Sequence, residues 1–216
     1  MKLYCITEGK TEEIVFKHWI PFVLYEFKFR EFINIDKICD NEFTIVNGGG
    51  YYKTLSLIPG GIEDVNQYSI DRLLIQVDAD EKPVNEVIDE LKSKCDAYTC
   101  TGEIFFIVCK PCFEAWCLGN KKIPKPNPID EKAKLYHSFY NVLVEDPQLI
   151  PPFNGMNSSQ FAFEYLKAIL RDRRQSYRKN DPKSVCPHFY FDQVHSRSKR
   201  TKHISTFEMF LNSLRR

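Results

Sequence analysis

Residues 71–94, DRLLIQVDADEKPVNEVIDELKSK, hold a complete strand-to-helix unit, and their reading decides the fold. Leu73 to Val77 is apolar apart from Gln76, as in a strand buried on both faces, and it ends in the acids Asp78 and Asp80. Beyond Pro83, the apolar Val84, Val87, Ile88 and Leu91 recur at helical spacing, so an amphipathic helix over 83–94 follows with Pro83 in its first turn. A buried strand running straight into a helix is the repeating unit of a parallel sheet.

The same alternation extends outward from this unit. Upstream, KLYCIT (2–7) reads as a strand, and TEEIVFKHWIPFVLYEFKFR (11–30) as a helix kinked or divided at Pro21. EFTIV (42–46) is a second strand, NGGG (47–50) a turn, and YYKTLSLI (51–58) a helix that PGG (59–61) stops. Downstream, EIFFIVC (103–109) is a fourth strand and CFEAWCLG (112–119) a short helix after Pro111. The predicted fold class is therefore α/β, a Rossmann-like parallel sheet of about four strands over residues 1–120. NKKIPKPNPID (120–130) reads as a linker. Residues 121–216 form a mostly helical, basic C-terminal region, with helices expected near 130–145, 157–176 and 204–215.

Composition agrees with a packed core and narrows the function. The chain has 216 residues, 43% hydrophobic and 14% aromatic, which excludes disordered, collagenous and coiled-coil proteins. No stretch reaches the roughly 18 apolar residues of a membrane span, and Glu8 and Lys10 stand where a signal peptide needs its apolar region. A cytoplasmic protein without membrane contact is expected. The net charge of +1 hides an asymmetry: residues 171–216 carry 12 lysines and arginines against 4 acids, and the rest of the chain is net acidic. A basic end on a body with carboxylates at its strand ends suits a polyanion partner. The eight cysteines read mainly as reduced thiols. Cys95, Cys100, Cys109 and Cys112 have a spacing that a structural zinc could use, although Cys109 falls on a strand.

In open parallel sheets ligands bind beyond the carboxyl ends of the strands. Those positions are acidic here: Glu8 with Glu12 one helix turn on, then Asp78 and Asp80, then Glu114. Asp78 and Asp80 flank Ala79 and fall on one side of an extended chain. Converging carboxylates repel unless a cation neutralises them, and an oxygen-only donor set points to Mg²⁺ or Mn²⁺. Turn and helix-cap duty is the competing explanation for the same acids.

TEGKTEE (7–13) resembles the Glu-Gly motif of the TOPRIM domain, and QVDADE (76–81) its Asp-x-Asp motif, in the matching order. KPCFEAWCLG (110–119) is similar to the Glu-x-Trp segment of small stand-alone TOPRIM proteins of the RloB-like type, which are linked to bacterial mobile or defence loci. The resemblance covers about residues 1–120. It implies that Glu8 serves in metal binding or acid/base work, that Asp78 and Asp80 bind metal, and that Glu12 and Glu114 are further ligands. One departure is the absence of the glycine that often follows the Asp-x-Asp pair.

The chemistry so implied is phosphodiester cleavage of DNA or RNA, with Lys10 or Lys110 stabilising the phosphate charge. NGGGYYK (47–53) offers backbone N–H groups and Lys53 to a phosphate. The basic tracts at 171–179 and 195–203 supply Arg171, Arg173, Arg174, Arg178, Arg197, Lys199, Arg200 and Lys202 as nucleic-acid contacts. The alternatives are a non-catalytic nucleic-acid-binding module acting with a partner ATPase or nuclease, and a zinc-stabilised binding protein.

Overall fold

Along the first strand, Leu3 and Cys5 pack into one hydrophobic cluster while Tyr4 and Ile6 pack into another, so this segment is buried on both faces. The computed structural model describes residues 1–215. The chain runs β1 (Lys2–Thr7), α1 (Lys10–Val23), β2 (Lys28–Phe29), β3 (Glu42–Asn47), α2 (Tyr51–Tyr68), β4 (Arg72–Asp78), α3 (Val84–Cys95) and β5 (Glu103–Cys109). It continues through α4 (Phe113–Cys117), α5 (Glu131–Phe139), α6 (Ser158–Asp172), α7 (His188–Thr201) and α8 (Phe207–Leu214). The strands form one sheet of five, all parallel, in the order β2-β3-β1-β4-β5. The fifth strand, beyond the four expected, is the two-residue edge β2.

Helices α2 and α3 cover one face of the sheet, over Ile58, Ile62, Val65, Val87 and Leu91. Helices α1 and α8 cover the other, where Phe16, Trp19, Phe113 and Trp116 meet Phe207 and Phe210. The stretch 120–130 contains neither helix nor strand, yet Ile123 within it is buried in that same cluster. Among the described residues, no helix is long and apolar enough to cross a membrane.

Several helices differ from the sequence reading, among them α6, which ends at Asp172 and not near 176. Helix α1 ends at Val23 and does not reach residue 30, because the buried Phe27 turns the chain into β2. Helix α2 continues to Tyr68 through Pro59, Gly60 and Gly61. An interior proline costs about 3 kcal/mol. Leu55, Ile58, Ile62 and Val65 keep helical spacing across it, and burying each returns roughly 1.5–3 kcal/mol, so the helix persists. Helix α5 stops at Phe139, and the basic tract at 195–203 lies largely within a helix, α7, that its polar composition concealed.

Candidate functional site

Strands β1 and β4 are neighbours, but β1 connects onward to β3 on one side and β4 to β5 on the other. Such a reversal opens a crevice at the carboxyl ends of the two strands. The parallel register brings Thr7 opposite Asn47 and Gln76, and Asp78 opposite Cys109, so the strand ends share one edge.

Glu8 and Asp78 are locked together there. The Asp78 N–H donates to Glu8 Oε2 at 2.8 Å, and the Glu8 N–H donates to Gln76 Oε1 at 3.1 Å. Gln76 is buried and holds its amide with Nε2 against Cys109 Sγ at 3.4 Å. Asp78 Oδ1 accepts the Phe113 N–H at 3.1 Å, which ties β4 to the start of α4. Glu12 comes in from the first turn of α1 and is only 6% exposed. It packs over Gly9 so closely that a Cβ at residue 9 would meet its Oε2 at 2.6 Å. Glu114, buried in α4, accepts a hydrogen bond from the Tyr177 hydroxyl at 3.1 Å.

Gathering these acids changes their protonation. Burial, then the charges of Glu12, Glu8, Glu114 and Asp80, push the Asp78 carboxyl well above its usual range. Glu12 is raised to about 8, first by burial and next by Glu114. Glu8 is raised by burial, against the opposing hydrogen bond from the Asp78 N–H. Burial works against charging Lys179, but the attraction of Glu114, Asp78 and Glu12 overcomes it and holds the ammonium above the usual lysine range. A cavity of about 340 Å³ opens over this group, lined by Glu8, Gly9, Glu12, Gly50, Asp78 and Lys179 among others.

Other expected members lie differently. Asp80 has left the extended conformation, with φ +47°, so it does not follow Asp78 onto one side. Its Oδ1 accepts the Ser159 hydroxyl at 2.6 Å, and it borders an adjoining cavity of about 150 Å³ with Asp78, Tyr51, Tyr52 and Lys82. Lys110 donates to the carbonyls of Asp80 and Lys82 at 2.7 and 2.9 Å, so it braces the loop after β4. Lys10 lines the main cavity but pairs with Glu13 at 2.8 Å. Lys53 is exposed in the first turn of α2. Within the glycine turn the N–H groups are occupied, since those of Gly48, Gly49 and Gly50 donate to Thr7 O, Asn47 Oδ1 and Glu8 O.

The basic tracts divide in the same way. Arg171 forks onto Asp130 at 2.6 and 2.7 Å, and Arg173 donates to the carbonyls of Ile123 and Lys122. Arg197 is 2% exposed, which removes it from any outer nucleic-acid face. Arg174, Arg178, Lys199, Arg200 and Lys202 are exposed. Sequence reasoning missed Lys179, Tyr177 and Gln76. The acid-facing lysine lies inside the tract RDRRQSYRK, but nothing in that pattern marks which of its cations borders the acids.

The alternative grouping of Cys95, Cys100, Cys109 and Cys112 around a zinc does not assemble. Cys95 and Cys100 lie before β5, whereas Cys109 ends that strand and Cys112 follows it, so the two pairs are separated by the length of a seven-residue strand, roughly 20 Å. The acidic group offers oxygen donors of the kind Mg²⁺ and Mn²⁺ take, although among the described residues no three acids, histidines or cysteines are placed to hold an ion as they stand. No protein-family model, curated protein or solved structure matches this chain.

Proposed function

We propose that this chain is a Mg²⁺- or Mn²⁺-dependent nuclease of the TOPRIM type that hydrolyses phosphodiester bonds of DNA or RNA. The observation that carries the reading is the meeting of Glu8, Glu12 and Asp78, from β1, α1 and β4, at the reversal point of a parallel sheet. Glu8 and Asp78 would hold the cation, with Glu12 and Glu114 behind them. When bound, such a cation neutralises phosphate oxygens and lowers the pKa of a coordinated water.

The chain's own residues prepare the rest. The hydrogen bond from the Asp78 N–H fixes the Glu8 carboxylate, and Gln76 fixes the backbone beneath it. Gly9 leaves the space that Glu12 occupies. Lys179 faces the acids and offers positive charge to a phosphate entering the cavity. The raised carboxyl groups act in the same sense, because an incoming cation displaces their protons and relieves the repulsion.

The test is incubation with supercoiled plasmid, single-stranded DNA and structured RNA in Mg²⁺ or Mn²⁺, beside an EDTA control and a Glu8→Gln, Asp78→Asn double variant. Cleavage confined to the metal-containing wild type is expected. Binding without cleavage by the wild type would favour the non-catalytic module that works with a partner.

A further inference from the structure

Helix α7 places Gln193, Arg197, Arg200 and Thr201 along one face, and Lys121, from the loop after α4, completes a cavity of about 260 Å³ with them. This cavity shares no lining residue with the acidic one. Its lining contains three cations and no carboxylate.

Arg197 is the unusual member. Its side chain belongs to a residue 2% exposed, yet no acid touches it. Its Nη1 donates to the carbonyls of Val142 at 2.7 Å and Leu118 at 3.4 Å, and its Nη2 contacts the Glu145 carbonyl at 2.5 Å and His203 Nδ1 at 3.0 Å. These partners fix the guanidinium plane but supply no countercharge. Asp146 attracts it only at range, and its own Oδ1 is occupied by the N–H groups of Gln148 and Ile204. The remaining donor, Nε, is buried with no partner among the described residues. A buried charge without a countercharge is costly, and an anion in the adjoining cavity supplies one.

The surroundings favour the same occupant. Burial and the charges of Arg197 and Arg200 push the Lys121 ammonium below its usual range, as expected where cations crowd a site without an anion. The Gln193 amide and Thr201 hydroxyl add neutral donors on the same helix face. Three cations suit a dianion better than a carboxylate, and guanidinium and ammonium groups together are the usual phosphate-binding pair.

From these contacts we infer that the cavity between α7 and the loop after α4 is a binding site for a dianionic phosphate group, as inorganic phosphate or as a terminal phosphate monoester. The site is independent of the nuclease reading.

The test is calorimetric titration of inorganic phosphate into the full chain in EDTA, which keeps metal out of the acidic cavity. Saturable phosphate binding is expected. A Lys121→Ala, Arg200→Ala double variant, altered at two exposed residues, should bind at least roughly tenfold more weakly with an unchanged thermal transition. A Lys28→Ala control, at an exposed lysine of the edge strand β2, should bind as wild type does. Two oligonucleotides of one sequence, with a 5′-phosphate or a 5′-hydroxyl, then compete with the bound phosphate. Competition by the phosphorylated strand alone identifies a terminal monoester, and competition by neither identifies free phosphate. Either result supports the site. Equal competition by both strands, phosphate binding undiminished in the double variant, or no binding by the wild type at millimolar phosphate overturns it.

Discussion

Glu12 sits in the first turn of α1 with its carboxyl raised to about 8 by burial and then by Glu114. The unfolded chain loses that proton near the ordinary glutamate value of 4.5. Folded Glu12 therefore keeps a proton that the unfolded state has released, and its contribution to stability, full below pH 4.5, declines as pH rises to about 8. Glu8 and Asp78 are shifted the same way, whereas His195, lowered by burial, works in the opposite sense as pH rises to 6.5. Comparing Glu12→Gln with wild type isolates the one group. In EDTA the variant should match wild type near pH 5 and exceed it at pH 8 by on the order of 2–4 kcal/mol in urea unfolding. An equal difference at both values would show that Glu12 does not titrate in this range. At this scale the sequence made part of the site legible: Glu8 and Asp78 stand at strand ends, where chain direction alone places them. Lys179 and Tyr177 were hidden because they reach the acids through a loop whose path is set by tertiary packing, including the hydrogen bond from the Thr11 hydroxyl to the Lys179 carbonyl at 2.5 Å.

Helix α2 separates what local signals can and cannot decide. Pro59, Gly60 and Gly61 are the strongest helix-stopping triplet in the first 120 residues, yet the helix passes through them because the apolar spacing on either side faces one core. The two glycines then have opposite roles. Gly60 has nothing within 4 Å of an added Cβ, so Gly60→Ala should stabilise the protein by up to about 1 kcal/mol through helix propensity. At Gly61 an added Cβ would meet Ile6 Cδ1 at 2.8 Å, so Gly61→Ala should destabilise by about 1–3 kcal/mol through overpacking against β1. Chemical denaturation of the two variants checks this, and a shared sign would refute the packing account. The central strands and α3 were legible because period and punctuation agreed there. Helix α7 was not, since a segment rich in Ser, Lys and Arg carries few apolar residues, and only Tyr190, Phe191 and Val194 anchor it.

For the whole molecule, composition located a linker near 120–130 but could not show that the hydrophobic core runs across it. Trp19 and Trp116, both fully buried, pack edge-on against Phe207 with centroids 6.0 and 5.2 Å away, and Phe16 lies 4.7 Å from Phe210. The Trp116 indole N–H donates to Thr206 Oγ1 at 2.9 Å, and the Trp19 indole N–H to the Val185 carbonyl at 3.1 Å. Each of these large side chains gains roughly 1.5–3 kcal/mol from burial, so together Phe16, Trp19, Phe113 and Trp116 account for about 6–12 kcal/mol. The stability of a whole domain is only about 5–15 kcal/mol. A fragment of residues 1–120 should therefore fail to fold cooperatively, with red-shifted tryptophan emission and binding of a hydrophobic dye. The full chain should lose tryptophan burial and helical circular dichroism in one coincident transition. A fragment that melts sharply with native-like tryptophan emission would mean that the sheet and its first helices close their own core, and that α7 and α8 merely rest on it.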